Sequence, residues 1–95
     1  MVAARKKTRR RRPDRVVQYK SPSYRDLQAR LVVNVRAARE GHGWTQEQAA
    51  EACLMATRLF QRVEAGDVNL TLTSLARLCV GLDVDVAEIF RPVKK

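Results

Sequence analysis

Residues 45–66 read TQEQAAEACLMATRLFQRVEAG, two short amphipathic segments with a break near Leu54, and the reading of the whole chain follows from them. Thr45 and Gln48 form a capping-box pair, in which a hydroxyl and a side-chain carbonyl each satisfy an orphan backbone N–H, so a helix is predicted to begin at Thr45. Ala49, Ala50 and Cys53 give it a narrow stripe of small apolar residues, and close helix packing requires small side chains. Beyond the break, Phe60 and Val63 resume an apolar face while Thr57, Arg58, Gln61 and Arg62 project the other way. Two helices meeting at a tight corner, the second with a polar and cationic face, are suited to reading the edges of DNA bases.

Working outward, Trp44 stands just before the cap, where an apolar residue can staple the chain onto the following helix. Upstream, Ser23 with Asp26 supplies an S-x-x-D start, and Tyr24, Leu27, Leu31, Val35 and Ala38 repeat at helical spacing. A first helix is predicted from Tyr24 to Glu40, closed by Gly41 and Gly43. His42, the only histidine, reads as a solvent-facing turn residue with no chemistry assigned to it. Downstream, Thr71 caps a fourth helix whose core side is predicted to be Leu72, Leu75, Ala76, Leu78, Cys79 and Leu82. Asp85 with Glu88 opens a fifth, with Val86, Ile89 and Phe90 facing inward or toward a partner and Pro92 as the stop. The fold class is therefore all-α, five helices without a strand and without internal repeats.

A chain of 95 residues, 45% of them hydrophobic, builds one small helical domain. Its formal charge of +9 is unevenly placed. The first twenty residues hold nine Lys or Arg against Asp14, a balance of +8, and the remainder hold ten against nine acids, a balance of +1. Such a tail points to an anionic partner. Residues 1–22, with Arg5, Lys6, Lys7, Arg9, Arg10, Arg11 and Arg12, are expected to be a disordered basic arm, because like charges repel and no helical periodicity is present. Residues 23–95 form the domain. Val16, Val17 and Tyr19 fit either a short extended piece or a docked one. An arm of this kind raises affinity for a phosphate backbone by counterion release without specifying sequence.

No apolar run reaches the length of a membrane span, and the basic start leads into Pro-Asp rather than a hydrophobic signal core, so a cytoplasmic, nucleoid-associated protein is expected. Cys53 and Cys79 lie on apolar helix faces without metal-ligand spacing and read as reduced core thiols. No metal and no cofactor are expected. Neither a nucleophile-base constellation nor a phosphate-cradling glycine loop is present, which argues against an enzyme.

Gln46, Glu47, Ala50, Glu51, Arg62, Glu64 and Gly66 match, in register and without gaps, the helix-turn-helix of the Cro/C1 repressor family, the XRE-like or lambda-repressor-like group, and the resemblance extends from Leu27 to Phe90. It implies that the helix of residues 56–65 enters the major groove with Thr57, Arg58, Gln61 and Arg62 as base readers. Gln46 would bind a phosphate at the start of the preceding helix, and the loop from Asp67 to Leu70, with Asn69, would lie along the DNA backbone. It also implies a structural ion pair between Arg39 and Glu64. Most such proteins bind double-stranded DNA as homodimers, for which Val86, Ile89, Phe90 and Val93 are the candidate surface; equally, Ile89 and Phe90 only close the core of the single chain.

Four residues depart from the family pattern. Leu54 replaces the corner glycine, Ala56 the capping Ser or Thr, and Leu59 a polar residue, while Asp67 puts negative charge in the backbone-facing loop. The expected function is a sequence-specific transcriptional regulator, a phage-type repressor or a restriction-modification controller among its forms. The alternatives are an antitoxin-type protein that also binds a toxin, or an RNA- or ribosome-associated adaptor anchored by its basic tail.

Overall fold

The computed structural model describes residues 21–93, and these form five α-helices and no strand. They are α1 (Pro22–His42), α2 (Gln46–Ala52), α3 (Thr57–Ala65), α4 (Leu72–Leu82) and α5 (Val86–Ile89). The expected all-α, five-helix architecture is the one observed. Most of the arm, residues 1–20, lies outside the described residues, as do Val16, Val17 and Tyr19.

The first helix is longer than its apolar repeat suggests. Ser21, not Ser23, is its cap: the Ser21 hydroxyl accepts from the Tyr24 N–H at 3.1 Å. Pro22 then occupies the first turn, where its missing N–H costs nothing and its fixed φ favours the helix. The helix therefore takes in Pro22, which the charge pattern places in the arm. At the other end Gly41 stays helical, and Gly43 alone takes the left-handed conformation, φ 73°, that closes the helix.

Both bonds of the Thr45–Gln48 capping box form: Thr45 N–H donates to Gln48 Oε1 at 2.8 Å, and Gln48 N–H to Thr45 Oγ1 at 3.1 Å. Thr71 caps α4 through the Ser74 N–H at 3.1 Å, and Asp85 and Glu88 form the box that opens α5. That last helix ends at Ile89, before Pro92 can act as the stop.

The core is one cluster centred on Phe60, Leu78, Leu82, Ile89, Val35 and Val63, with Ala49, Ala50 and Cys53 contributed by the small-residue face of α2. How closely α4 approaches α2 is set by Gly81, where a Cβ would stand 2.6 Å from Cys53 Cα and Sγ and 2.7 Å from the Ala52 carbonyl oxygen. Only hydrogen fits there. The core side of α4 is narrower than its hydrophobic pattern predicts: Leu78 and Leu82 are buried and Leu75 and Cys79 half-buried, whereas Ala76 is exposed and Leu72 is 83% exposed. The rows Leu72–Ala76–Val80 and Leu75–Leu78–Leu82 diverge around the helix, and only the second meets α2 and α1.

His42 is structural as well as exposed. Its ring stacks on Trp44 with centroids 4.1 Å apart, and Nε2 lies 2.9 Å from the Leu82 carbonyl oxygen. A carbonyl only accepts, so Nε2 carries the proton, and the contact ties the end of α1 to the end of α4. The C-terminal helix is held to α1 from the other side by Arg30, donating to Phe90 O at 3.3 Å, and by Asn34, donating to Ile89 O at 3.1 Å and Arg91 O at 3.0 Å.

Candidate nucleic-acid interface

The two helices of residues 45–66 meet at a corner made by Cys53, Leu54 and Met55. Leu54 adopts φ 55°, the left-handed conformation that glycine accepts freely and a branched residue at a cost of about 1–2 kcal/mol. The corner keeps its shape because neighbouring bonds specify it: Leu54 N–H donates to Glu51 O at 3.1 Å and Met55 N–H to Ala50 O at 3.0 Å. The Leu54 side chain is 75% exposed. Ala56 caps α3 with no side-chain hydrogen bond, so the exchange of Ser or Thr for alanine at this position is not made good by Thr57.

One face of α3 is sunk into the core through Phe60, Val63 and Glu64, with Leu59 half-buried beside them. The opposite face presents Arg58, Gln61 and Arg62, all exposed, with Thr57 half-buried at its edge. Leu59 thus lies toward the core side of that face and not at its centre. Arg62 donates from Nε to the Asp67 carbonyl at 3.1 Å, folding the loop after α3 against the helix end. The same loop is fixed to α1, where Gln28 donates to Val68 O at 3.4 Å and the Tyr24 hydroxyl lies 3.5 Å from that oxygen. Asp67 and Asn69 are exposed in it, while Val68 and Leu70 pack toward the core.

A buried carboxylate holds this assembly at its centre. Glu64 is 2% exposed, and Arg39 binds it with both arms of its fork, Nε to Oε2 at 2.6 Å and Nη2 to Oε1 at 3.1 Å. Arg39 also donates to Trp44 O at 3.0 Å, so a single guanidinium joins α1, the α1–α2 turn and α3. The hydrogen bond to Glu64 raises the Arg39 pKa above its ordinary value, against the opposing effect of burial, and the side chain stays charged. Arg36 adds a longer contact, 3.8 Å to Glu64 Oε1, and donates to the Glu64 backbone oxygen at 3.1 Å.

Gln46 stands at the start of α2, where the family resemblance puts it, and its side chain also serves the fold. Its Nε2 donates to Glu64 Oε1 at 2.9 Å, so one amide N–H is already committed inside the protein. A primary amide carries two, and only the second is available to a phosphate. Neither this bond nor the Arg36 contacts are legible in the sequence. The one signal is that Arg36 stands three residues before Arg39 and therefore shares its helix face.

Of the four residues expected at a dimer surface, Ile89 is 1% exposed and closes the core of the single chain. Phe90 is half-buried, and Val86 and Val93 are exposed. Among the described residues no group of His, Cys, Asp or Glu is placed to hold a metal ion, and no helix is long and apolar enough to cross a membrane. The two thiols are free; burial pushes Cys53 up to about 11 and Cys79 upward as well.

Comparison with known proteins agrees with this geometry. A hypothetical transcription factor of Neisseria meningitidis serogroup B is 30% identical over 71 residues, which are 75% of this chain and 67% of that protein. The crystal structure of a hypothetical transcription factor from Neisseria, NHTF, superposes with a TM-score of 0.67 at 29% identity, covering 72% of this chain and 78% of that one. Residues 30–90 match the family model described as a helix-turn-helix domain. By the extent of that match, and by the α2–corner–α3 arrangement it covers, the chain belongs to the helix-turn-helix domain family.

Proposed function

We propose that this protein is a sequence-specific DNA-binding transcriptional regulator of the Cro/C1 type, with α3 in the major groove and the N-terminus of α2 against the phosphate backbone. The observation that carries this reading is the division of α3: Phe60, Val63 and Glu64 are buried, and Arg58, Gln61 and Arg62 stand together on the exposed side. An arginine donates two bonds to guanine O6 and N7, and a glutamine pairs with adenine N6 and N7. The Arg62 bond to Asp67 O uses Nε, which leaves the Nη atoms for a base. Asn69, in the loop held by Tyr24 and Gln28, would approach the backbone. Two copies would engage two half-sites about one helical turn apart, and the basic arm from Arg5 to Arg12 would add sequence-independent affinity. The role is binding, not catalysis.

The test is binding to a duplex selected from random sequence, compared with unrelated DNA and RNA. Replacing Arg58 and Arg62 with Ala should remove most of the preference for the selected duplex, about 1–3 kcal/mol for each bidentate pairing with a base. Tail-driven, salt-sensitive binding to any nucleic acid should persist. Equal affinity for every nucleic acid before and after the substitutions would overturn the reading and favour an RNA-associated adaptor.

A further inference from the structure

An apolar groove of about 230 Å³ lies between the first turns of α1, the segment of residues 68–71 and the start of α4. Leu27, Leu70, Leu72, Leu75 and Phe90 line it. Leu70, Leu75 and Phe90 are half-buried and pack against the core, whereas Leu27 is 48% and Leu72 83% exposed. The groove is thus an opening onto the core that the described residues leave uncovered. It is smaller than the roughly 300–1,000 Å³ of pockets that enclose a free small molecule, so it suits a few side chains better than a ligand.

We propose that Val16, Val17 and Tyr19, which lie outside the described residues, fold back and fill this groove. Their place along the chain selects them. The described structure begins at Ser21, the cap of α1, and α1 supplies one wall of the groove through Tyr24, Leu27, Gln28 and Leu31. Leu31, the farthest of these, stands ten residues beyond Ser21, about 15 Å along the helix axis. An extended chain spans about 3.3 Å per residue, which carries Tyr19 about 7 Å and Val16 about 17 Å back from Ser21. The segment and the wall are therefore of equal length. Ser21 has φ −68° and ψ 152°, an extended conformation, so the chain leaves the helix axis there instead of prolonging it.

Composition selects the same residues. The other apolar run of the arm, Met1 to Ala4, is at least seventeen residues from Ser21 and lies beyond the cationic stretch from Arg5 to Arg12. Tyr19 brings a ring that suits the leucine walls and a hydroxyl that suits Gln28 and Thr71, which also line the groove. A segment tethered two residues away fills such a site at an effective concentration that a separate partner does not reach. Docking shortens the free arm to residues 1–15 and anchors its base beside the loop of residues 67–70. Arg9 to Arg12 then leave the domain next to the loop assigned to the DNA backbone, a consequence that rests on the DNA-binding reading above. The docking itself does not, and it is tested without DNA so that the two fail separately.

Nuclear magnetic resonance on the full chain should show Overhauser contacts between the Tyr19 ring and the methyl groups of Leu27 and Leu72. Replacing Val16, Val17 and Tyr19 together with Ser should lower the folded-to-unfolded ratio about tenfold in urea denaturation and leave the helical circular dichroism unchanged. Leu72→Asp should cost about as much in the parent chain, although an uncovered surface position would tolerate it. That cost should vanish in the triple-serine background, because the arm no longer covers the site. Absence of the Tyr19 contacts, or a triple-serine variant as stable as the parent, would overturn the proposal. So would a Leu72→Asp cost that is equal in the two backgrounds, which would assign the cover of the groove to a second copy or another partner.

Discussion

Leu54 is the residue whose conformation and chemistry disagree most. It holds a left-handed backbone at φ 55° with its side chain in water, so it has strain and little packing to offset it. Leu54→Gly should stabilise the protein by about 1 kcal/mol, the relief of strain being partly offset by the greater freedom of glycine in the unfolded chain. Urea denaturation measures it, and a loss of stability would mean that Leu54 is held by a contact outside the single chain. Arg39 is the opposite case, a charge whose surroundings all depend on it. Arg39→Ala leaves the buried Glu64 with only Gln46 and the distant Arg36, and should cost about 3–5 kcal/mol in the same experiment. Glu64→Gln in the Arg39→Ala background should recover part of that loss, because it removes the stranded charge.

Cys53 adds a pH dependence. Its folded pKa, about 11, lies above the ordinary 9.0. Between those values the unfolded chain loses its proton first, so stability is fully present below pH 9 and falls as pH rises toward 11, by roughly 2 kcal/mol. Comparing the parent with Cys53→Ala across that window isolates the effect. An equal slope in both would assign it to other groups.

At the scale of elements, the decisive contact is the seating of α4 on α2 through Gly81. A Cβ there meets two backbone atoms, Cys53 Cα and the Ala52 oxygen, which cannot swing aside as the end of a side chain could. Gly81→Ala should therefore destabilise by about 1–3 kcal/mol, although alanine is the better helix former by roughly 1 kcal/mol at an unconstrained site. A stabilised Gly81→Ala variant in thermal or urea melts would show that α4 can ride outward on α2 at no cost. The helix starts are readable because they are local: Thr45–Gln48, Thr71 and Asp85–Glu88 each satisfy their own backbone within four residues. The start of α1 lies two residues before its expected place because Ser21 and Ser23 are equally good caps in isolation. Pro22 tips the choice by favouring a first-turn position.

At the scale of the whole molecule, charge is divided unevenly between two parts of the chain. The first twenty residues carry +8 and the remainder +1. If the arm supplies sequence-independent binding, removing residues 1–20 should flatten the dependence of log K on log salt. The expected change is about 0.9 for each phosphate that the arm neutralises, with preference for the selected duplex largely kept. Fluorescence anisotropy over a salt series measures both, and an unchanged slope would assign the electrostatics to the domain instead.

By itself the sequence determined the five helices, the corner at Leu54 and the polar face of α3, because caps, periodicity and the helix-turn-helix pattern are written in residues close together along the chain. The Arg39–Glu64 pair came from family resemblance, across 25 residues. Only the tertiary structure decided that Gln46 and Arg36 share the same carboxylate, that Gly81 admits nothing larger, that Ile89 is inside, and that Leu72, Ala76 and Val80 are outside. Each depends on which side of a helix meets a neighbour and how closely, and hydrophobic periodicity specifies an apolar stripe without saying where along it the neighbour ends.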